Sequence, residues 1–207
     1  TDMPLGALSM SAYLKKHVSV ETRLLDFNVV LNKVDDFPCE SFADFFRAVL
    51  SRREWKDYDP TIIGISALFT PSYHNLIDIG QCSREIFPRA VIIAGGGVPN
   101  NLFQEIFRDS TLFDALCYGE GEKPLLALVQ ANEKPQHLEE NPSWITPAKA
   151  RAGQSFQHDF IENLDEIPFY DYSLLATDDY GLNPALTAYA GVNEKTHNFH
   201  VMTSRGC

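Results

Sequence analysis

Apolar residues along the chain switch repeatedly between a helical and a strand period. Phe42, Phe45, Phe46, Val49 and Leu50 recur at i, i+3, i+4, i+7 and i+8, which predicts a helix over 41–52. Leu102, Phe103, Ile106 and Phe107 share one side of a second helix in "NNLFQEIFRD". "PLGALSMSAYLKK" (4–16) predicts a helix with Pro4 in its first turn and Lys15, Lys16 and His17 at its negative end. "TPSYHNLIDIGQCSREIF" opens on a Thr cap and an early Pro, and "EKPLLALVQA" gives a further helix. Between them, Val18, Val20, Thr22 and Leu24 alternate through 18–25 as a strand does. "TIIGIS", "AVIIAGG" and "FDALCYG" are short runs that are apolar on both faces. Strands of that kind, with helices between, predict a parallel sheet covered on both sides. The fold class is therefore α/β: an open, doubly wound sheet of flavodoxin-like, Rossmann-like type. Such a fold begins with a central strand, whereas this pattern begins with a helix. The expectation is a further strand ahead of Thr1.

After residue 131 the pattern becomes polar and is broken by Pro135, Pro142 and Pro147, as in a connecting segment. A small hairpin is expected around Trp144 and Ile145, and "HNFHVMT" alternates again like a strand. At 44% hydrophobic residues, 207 positions can form one domain with an extension. The net charge of −11 disfavours non-specific nucleic-acid binding, which needs Lys and Arg on phosphates. No run is long enough to span a bilayer, and no leader pattern is visible, so the expected setting is the cytoplasm. Cys39, Cys82, Cys117 and Cys207 lack metal-ligand spacing, and the first three read as free thiols in a reducing compartment.

Ligands of an open parallel sheet bind beyond the carboxyl ends of its strands. Four segments are predicted there: "DFN" with Asp26; "SALFTPS" with Ser66, Ala67, Leu68 and Thr70; "GGGVPN" with Gly95, Gly96, Gly97 and Pro99; and "YGEGE" with Gly119, Glu120, Gly121 and Glu122. The glycine run lets backbone approach a ligand closely or simply makes a tight turn. It is not a dinucleotide fingerprint, because Asn100 stands where G-x-G-x-x-G needs its last glycine, and no P-loop Lys follows. Ser66 can donate to a ligand or cap the next helix. Glu120 and Glu122 suit a helix N-terminus, and no His or Lys partner marks them as an acid–base pair. His74 reads as a surface residue, and His197 and His200 would point to opposite faces of a strand.

Ser66-Ala67-Leu68, an S-x-L, followed by Gly95-Gly96 resembles the cobalamin-binding domains of methyltransferases and mutases. In that family these residues line a slot for the nucleotide tail of the cofactor. The family's D-x-H-x-x-G motif is only echoed by Asp2 and Gly6 in "TDMPLG", with Pro4 at the His position and one residue too few. The resemblance therefore implies cobalamin bound base-off, without a His ligand. "DMPLGALSMSAYLKK", "LLDFN", "YDPTIIGIS", "AGGGVPN", "DALCYGEGE" and "LDEIPFYDYSLL" together look like the N-terminal half of cobalamin-binding-domain radical SAM proteins. In that family a linker leads into a barrel whose first strand ends in S-R-G-C. The resemblance implies a cobalamin-binding-like domain over 1–131, a linker over 132–198, and the start of a barrel over 199–207. It also implies Cys207 as the first ligand of a 4Fe-4S cluster that binds S-adenosylmethionine through its open iron. The full protein would be a methyltransferase or related radical enzyme, its partners being the small-molecule cofactor and its own C-terminal barrel. The 207-residue chain alone is expected to be inactive. Two alternatives share the fold: an interaction or scaffold module without cofactor, and a nucleotide or flavin binder.

Overall fold

The structure is a computed structural model that describes residues 3–182 and 196–197. Helix α1 (Leu5–His17) follows Pro4, which sits at the N-cap just outside the first turn, and it ends on Lys15, Lys16 and His17. Short α2 (Phe27–Asn32) is capped by the Asp26 side chain, which accepts from the Asn28 N–H. In α3 (Phe42–Leu50) Ser41 accepts from the Asp44 N–H; of the predicted stripe Phe45, Phe46, Val49 and Leu50 are buried, while Phe42 is exposed. Helix α4 (Arg53–Tyr58) stops at Asp59, whose φ of 44° is left-handed. Then come β1 (Ile62–Ser66), α5 (Tyr73–Ile86), β2 (Val91–Gly95), α6 (Gly97–Asn101), α7 (Phe103–Asp109), β3 (Ala115–Cys117) and α8 (Glu122–Gln130).

The sheet runs in the order β1-β2-β3-β4, where β4 is Trp144–Ile145. β1, β2 and β3 are parallel, with Ile62 opposite Val91, Ser66 opposite Gly95, and Ile93 opposite Ala115. β4 is antiparallel to β3, Leu116 facing Ile145. Trp144 and Ile145 thus extend the main sheet instead of forming their own hairpin. Helices α9 (Lys134–Glu140) and α10 (Pro147–Arg151) flank this edge strand. One face packs Ile65, Ala67, Ile92, Ala94 and Leu116 against Leu76 of α5 and Ile106 and Phe107 of α7. The other packs Ile93, Ala115 and Cys117 against Leu128 of α8. No helix among the described residues is long and apolar enough to cross a membrane.

The strand expected over 18–25 is not formed. Its period is present: Val18, Val20, Thr22 and Leu24 are half-buried while Ser19, Glu21 and Arg23 are exposed. A strand also needs a ladder, however, and this stretch joins none. It is held by side chains instead. Tyr58 donates to the Glu21 carbonyl, Arg23 lies 4.2 Å over the Tyr58 ring, and Ser11 and Thr22 share a 2.7 Å hydrogen bond. Of the strand expected near 197–202, Thr196–His197 is described as β6, antiparallel to β5 (Gly181–Leu182). The remainder, with His200 and Cys207, lies outside the described residues.

The polar segment after α10 runs back over the domain. Lys123 donates to Asp159 at 3.0 Å, Lys16 to the Glu166 carbonyl, and Tyr180 to Asp26 at 3.2 Å. Asp171 is the main anchor, accepting from Ser11 at 2.7 Å and Lys15 at 2.6 Å and taking a further bond from Ser173. Burial works to raise its carboxyl. The hydrogen bonds from Lys15, Ser173 and Ser11 and the Lys15 charge outweigh that and hold it at about 2. An unfolded Asp titrates near ~3.9. Its stabilising contribution is therefore complete above that value and is lost as the pH falls through about 2. In urea unfolding between those two pH values, Asp171→Asn should remove this part of the acid sensitivity. Parallel stability profiles for both proteins would contradict it.

Candidate functional site

Three loops leave the carboxyl ends of β1, β2 and β3 side by side. The first two are in direct backbone contact. Ala67 N–H donates to the Gly95 carbonyl at 3.1 Å, and Val98 N–H donates to the Ala67 carbonyl at 3.0 Å. This approach requires glycine. A Cβ on Gly96 would stand 2.6 Å from the Ala67 oxygen, and its φ of 101° is one that L side chains rarely adopt. A Cβ on Gly97 would stand 2.5 Å from the Leu68 oxygen. Gly96 and Gly97 therefore face the neighbouring loop, and the space their missing side chains leave is already filled.

Open space lies on one face of β1. Alternate strand residues share a face, and in this register Gly64 is beside Ile93 and Ser66 beside Gly95. Ile65 and Ala67 point into the core, while Gly64 and Ser66 are exposed. A Cβ on Gly64 would meet only Ile93, at 3.9 Å, and one on Gly95 would meet Cys117 at 3.7 Å. Gly64, Ser66 and Gly95 make a floor with no side chain larger than hydroxymethyl. Helix α8 covers the same face over β2 and β3 through Leu128, and α1 lies against α8, where Ser9 donates to the buried Glu122 at 2.7 Å. The Ser66 hydroxyl caps no helix and has no partner among the described residues; Phe69 and Ser72 occupy the cap positions that follow. Gly64 was not among the residues singled out from sequence. Its signal was the alternation inside "IIGIS", which places both small residues on one face.

The other candidates divide. Leu68 and Thr70 are exposed on the first loop and Pro99 is buried beneath the second. Asp26 is occupied by the Asn28 N–H and the Tyr180 hydroxyl. Gly119 has a φ of 87°, and the space where its Cβ would stand holds His158, 2.1 Å from the Cβ position. His158 stacks between Tyr118 at 4.3 Å and Phe160 at 5.1 Å. Glu120 accepts from the Ile161 N–H and Glu122 from Ser9, so these carboxylates hold structure. Burial first, then the Glu122 charge, pushes the Cys117 thiol up to about 12, which makes it unreactive. Burial likewise raises Cys82. His74 is exposed, as expected. Among the described residues no cluster of His, Cys, Asp and Glu is gathered to hold a metal ion. A shallow groove beside Gln81, Arg84 and Thr111 lies at the opposite, amino-terminal end of the strands. Its Arg84 is already bound to Asp114 and to the Ala90 and Leu112 carbonyls.

This arrangement, a parallel sheet with helices on both faces and small, partly exposed residues at its carboxyl edge, defines a Rossmann-like ligand-binding domain. Residues 3–129 match the family described as B12 binding domain, and the chain belongs to that family. The chain is also 28% identical over all 207 of its residues to a protein of Pyrococcus horikoshii named as an uncharacterized methyltransferase. It spans about two fifths, 39%, of that relative's length.

Gly96 and Gly95 should respond differently to the same substitution. Gly96→Ala combines a forbidden φ with a backbone clash and should cost about 2–3 kcal/mol. Gly95→Ala meets only ordinary van der Waals contact and should cost about 1 kcal/mol or less. Urea unfolding of both variants measures this, and equal losses would contradict the close approach of the loops.

Proposed function

We propose that the chain binds cobalamin, with the nucleotide tail lying over the Gly64, Ser66 and Gly95 floor between the sheet and α1. The observation that supports this most directly is that floor, open in the middle of a parallel strand, on a chain of the B12-binding family. An extended heterocycle needs a flat, narrow space lined by backbone and one or two polar groups. The floor offers flat backbone, and the Ser66 hydroxyl offers a donor to a ring nitrogen. The exposed Leu68 and Phe69 give an apolar rim at its mouth. Pro4 supplies no nitrogen where the family's motif carries histidine, so the expected bound form is base-off without a His ligand. When bound, cobalamin supplies a cobalt centre able to carry a methyl group. The residues here would seat its tail, with Ser66 offering a hydrogen bond and the bare strand backbone a flat surface.

The finer reading is that this domain serves a radical SAM enzyme, probed through Cys207. "SRGC" has the form of the first cluster cysteine, and the relative over the full chain is longer and named as a methyltransferase. Cleavage of S-adenosylmethionine would belong to the barrel that follows. One cysteine cannot hold a 4Fe-4S cluster, so the 207-residue chain should release no 5′-deoxyadenosine above a protein-free blank after iron–sulfur reconstitution. In a protein extended past Cys207, Cys207→Ala should abolish bound iron and acid-labile sulfide. Retention of both would remove this reading.

Titration with hydroxocobalamin, desalting and a visible spectrum test the binding itself. The expected result is one retained cobalamin per chain with a base-off spectrum. Gly64→Val places its side chain in open space and suits a strand, so the thermal midpoint should hold while cobalamin retention falls at least roughly tenfold. Unchanged retention by Gly64→Val would place the tail elsewhere. A bound yellow chromophore would favour a flavin site.

A further inference from the structure

Asn100 stands where a dinucleotide fingerprint would carry glycine, and it joins two of the three loops. Its Nδ2 donates to the Gly96 carbonyl at 2.9 Å, and its Oδ1 accepts from the Gly119 N–H at 2.9 Å. Both partners are backbone groups of fixed character: a carbonyl can only accept and an N–H can only donate. The orientation of the carboxamide is therefore set by its surroundings. Its own backbone N–H also reaches the Gly96 carbonyl, at 3.2 Å. Gly96 and Gly119 are both left-handed, at φ of 101° and 87°. Loops containing such glycines have many accessible backbone states, and something must select one. Gly96 is fixed on one side by Ala67 and on the other by Asn100, while Gly119 is fixed by Asn100 and by the His158 ring.

We propose that Asn100 is a positioning residue that holds the loops after β2 and β3 at a fixed spacing, so that the ligand-facing edge of the sheet is formed before any ligand arrives. Its carboxamide nitrogen and oxygen are each engaged by a backbone group, and it would act without touching the cofactor. No other type of side chain of this size offers a donor and an acceptor in one plane. Aspartate keeps the shape and the acceptor for Gly119 but turns a second oxygen toward the Gly96 carbonyl. Alanine loses both bonds and leaves the Gly119 N–H without its partner. The consequence for cobalamin rests on the reading above, while the brace itself does not.

The test uses amide hydrogen exchange of the ligand-free chain together with hydroxocobalamin titration. In Asn100→Ala, exchange at Gly119 should accelerate about tenfold or more, as expected for loss of one hydrogen bond, while core amides such as Ile92 and Leu116 keep their protection. The hydroxocobalamin dissociation constant should rise roughly tenfold. Asn100→Asp should keep the Gly119 protection and still weaken cobalamin. Unchanged exchange at Gly119 in Asn100→Ala would overturn the brace. Lost protection with unchanged cobalamin affinity would overturn its role in forming the site. If the wild-type chain retains no cobalamin, the cofactor reading fails, and the exchange data decide the brace alone.

Discussion

The contact on which the site depends is the approach of the Ala67 backbone to the glycines after β2. Two hydrogen bonds, Ala67 N–H to the Gly95 carbonyl and Val98 N–H to the Ala67 carbonyl, join the loops just beyond the last paired residues. The loops can meet this closely only because Gly96 and Gly97 have no side chains to strike the Ala67 and Leu68 carbonyls. From this follow the position of α6, the exposed aspect of Leu68 and Phe69, and the placement of Asn100 within reach of Gly119. Glycine here serves two different purposes a few residues apart. At Gly96 it permits backbone to meet backbone. At Gly64 it leaves a strand face bare.

The segment after α10 makes the second set of constraints. It ties the carboxyl end of β3 to α1 and α2 by contacts from Lys123, Lys16, Lys15 and Asp26, each to a partner more than thirty residues away in sequence. In a chain of net charge −11 the three lysine contacts offset some self-repulsion, and Asp171 draws three donors onto one carboxylate. Burial, followed by the charge and hydrogen bond of Asp26, pushes the Tyr180 phenol up, so it stays protonated and able to donate to Asp26. The stretch that stacks His158 over Gly119 thus belongs to the surface of the site, although its composition reads as a connector.

Helices α1, α3, α5, α7 and α8 were legible from apolar stripes or end signals, and the three parallel strands from short runs apolar on both faces; α2, α4, α9 and α10 were not expected. The stripe of Phe45, Phe46, Val49 and Leu50 is the clearest case. Residues 18–25 mark the limit of that reading: the alternation correctly gives an extended, half-buried chain, but periodicity carries no information on whether a ladder partner is present. β4 was expected as part of a small hairpin, and its place in the main sheet was not legible. Two residues are too few to show a period, and Trp144 and Ile145 become a strand only because β3 offers an edge. At the site, Ser66 and the glycine run could be found from residue type. Gly64 and Asn100 could not be weighted, since one acts through an absent side chain and the other through partners that only the fold brings near.

The account stands on the tail of the cofactor lying over the bare face of β1. The most direct measurement is a set of isotope-edited nuclear Overhauser contacts from the benzimidazole protons of bound cobalamin to labelled backbone. Contacts to Gly64, Ser66 and Gly95 are the predicted result. Retained cobalamin whose benzimidazole contacts none of these three residues would contradict the account.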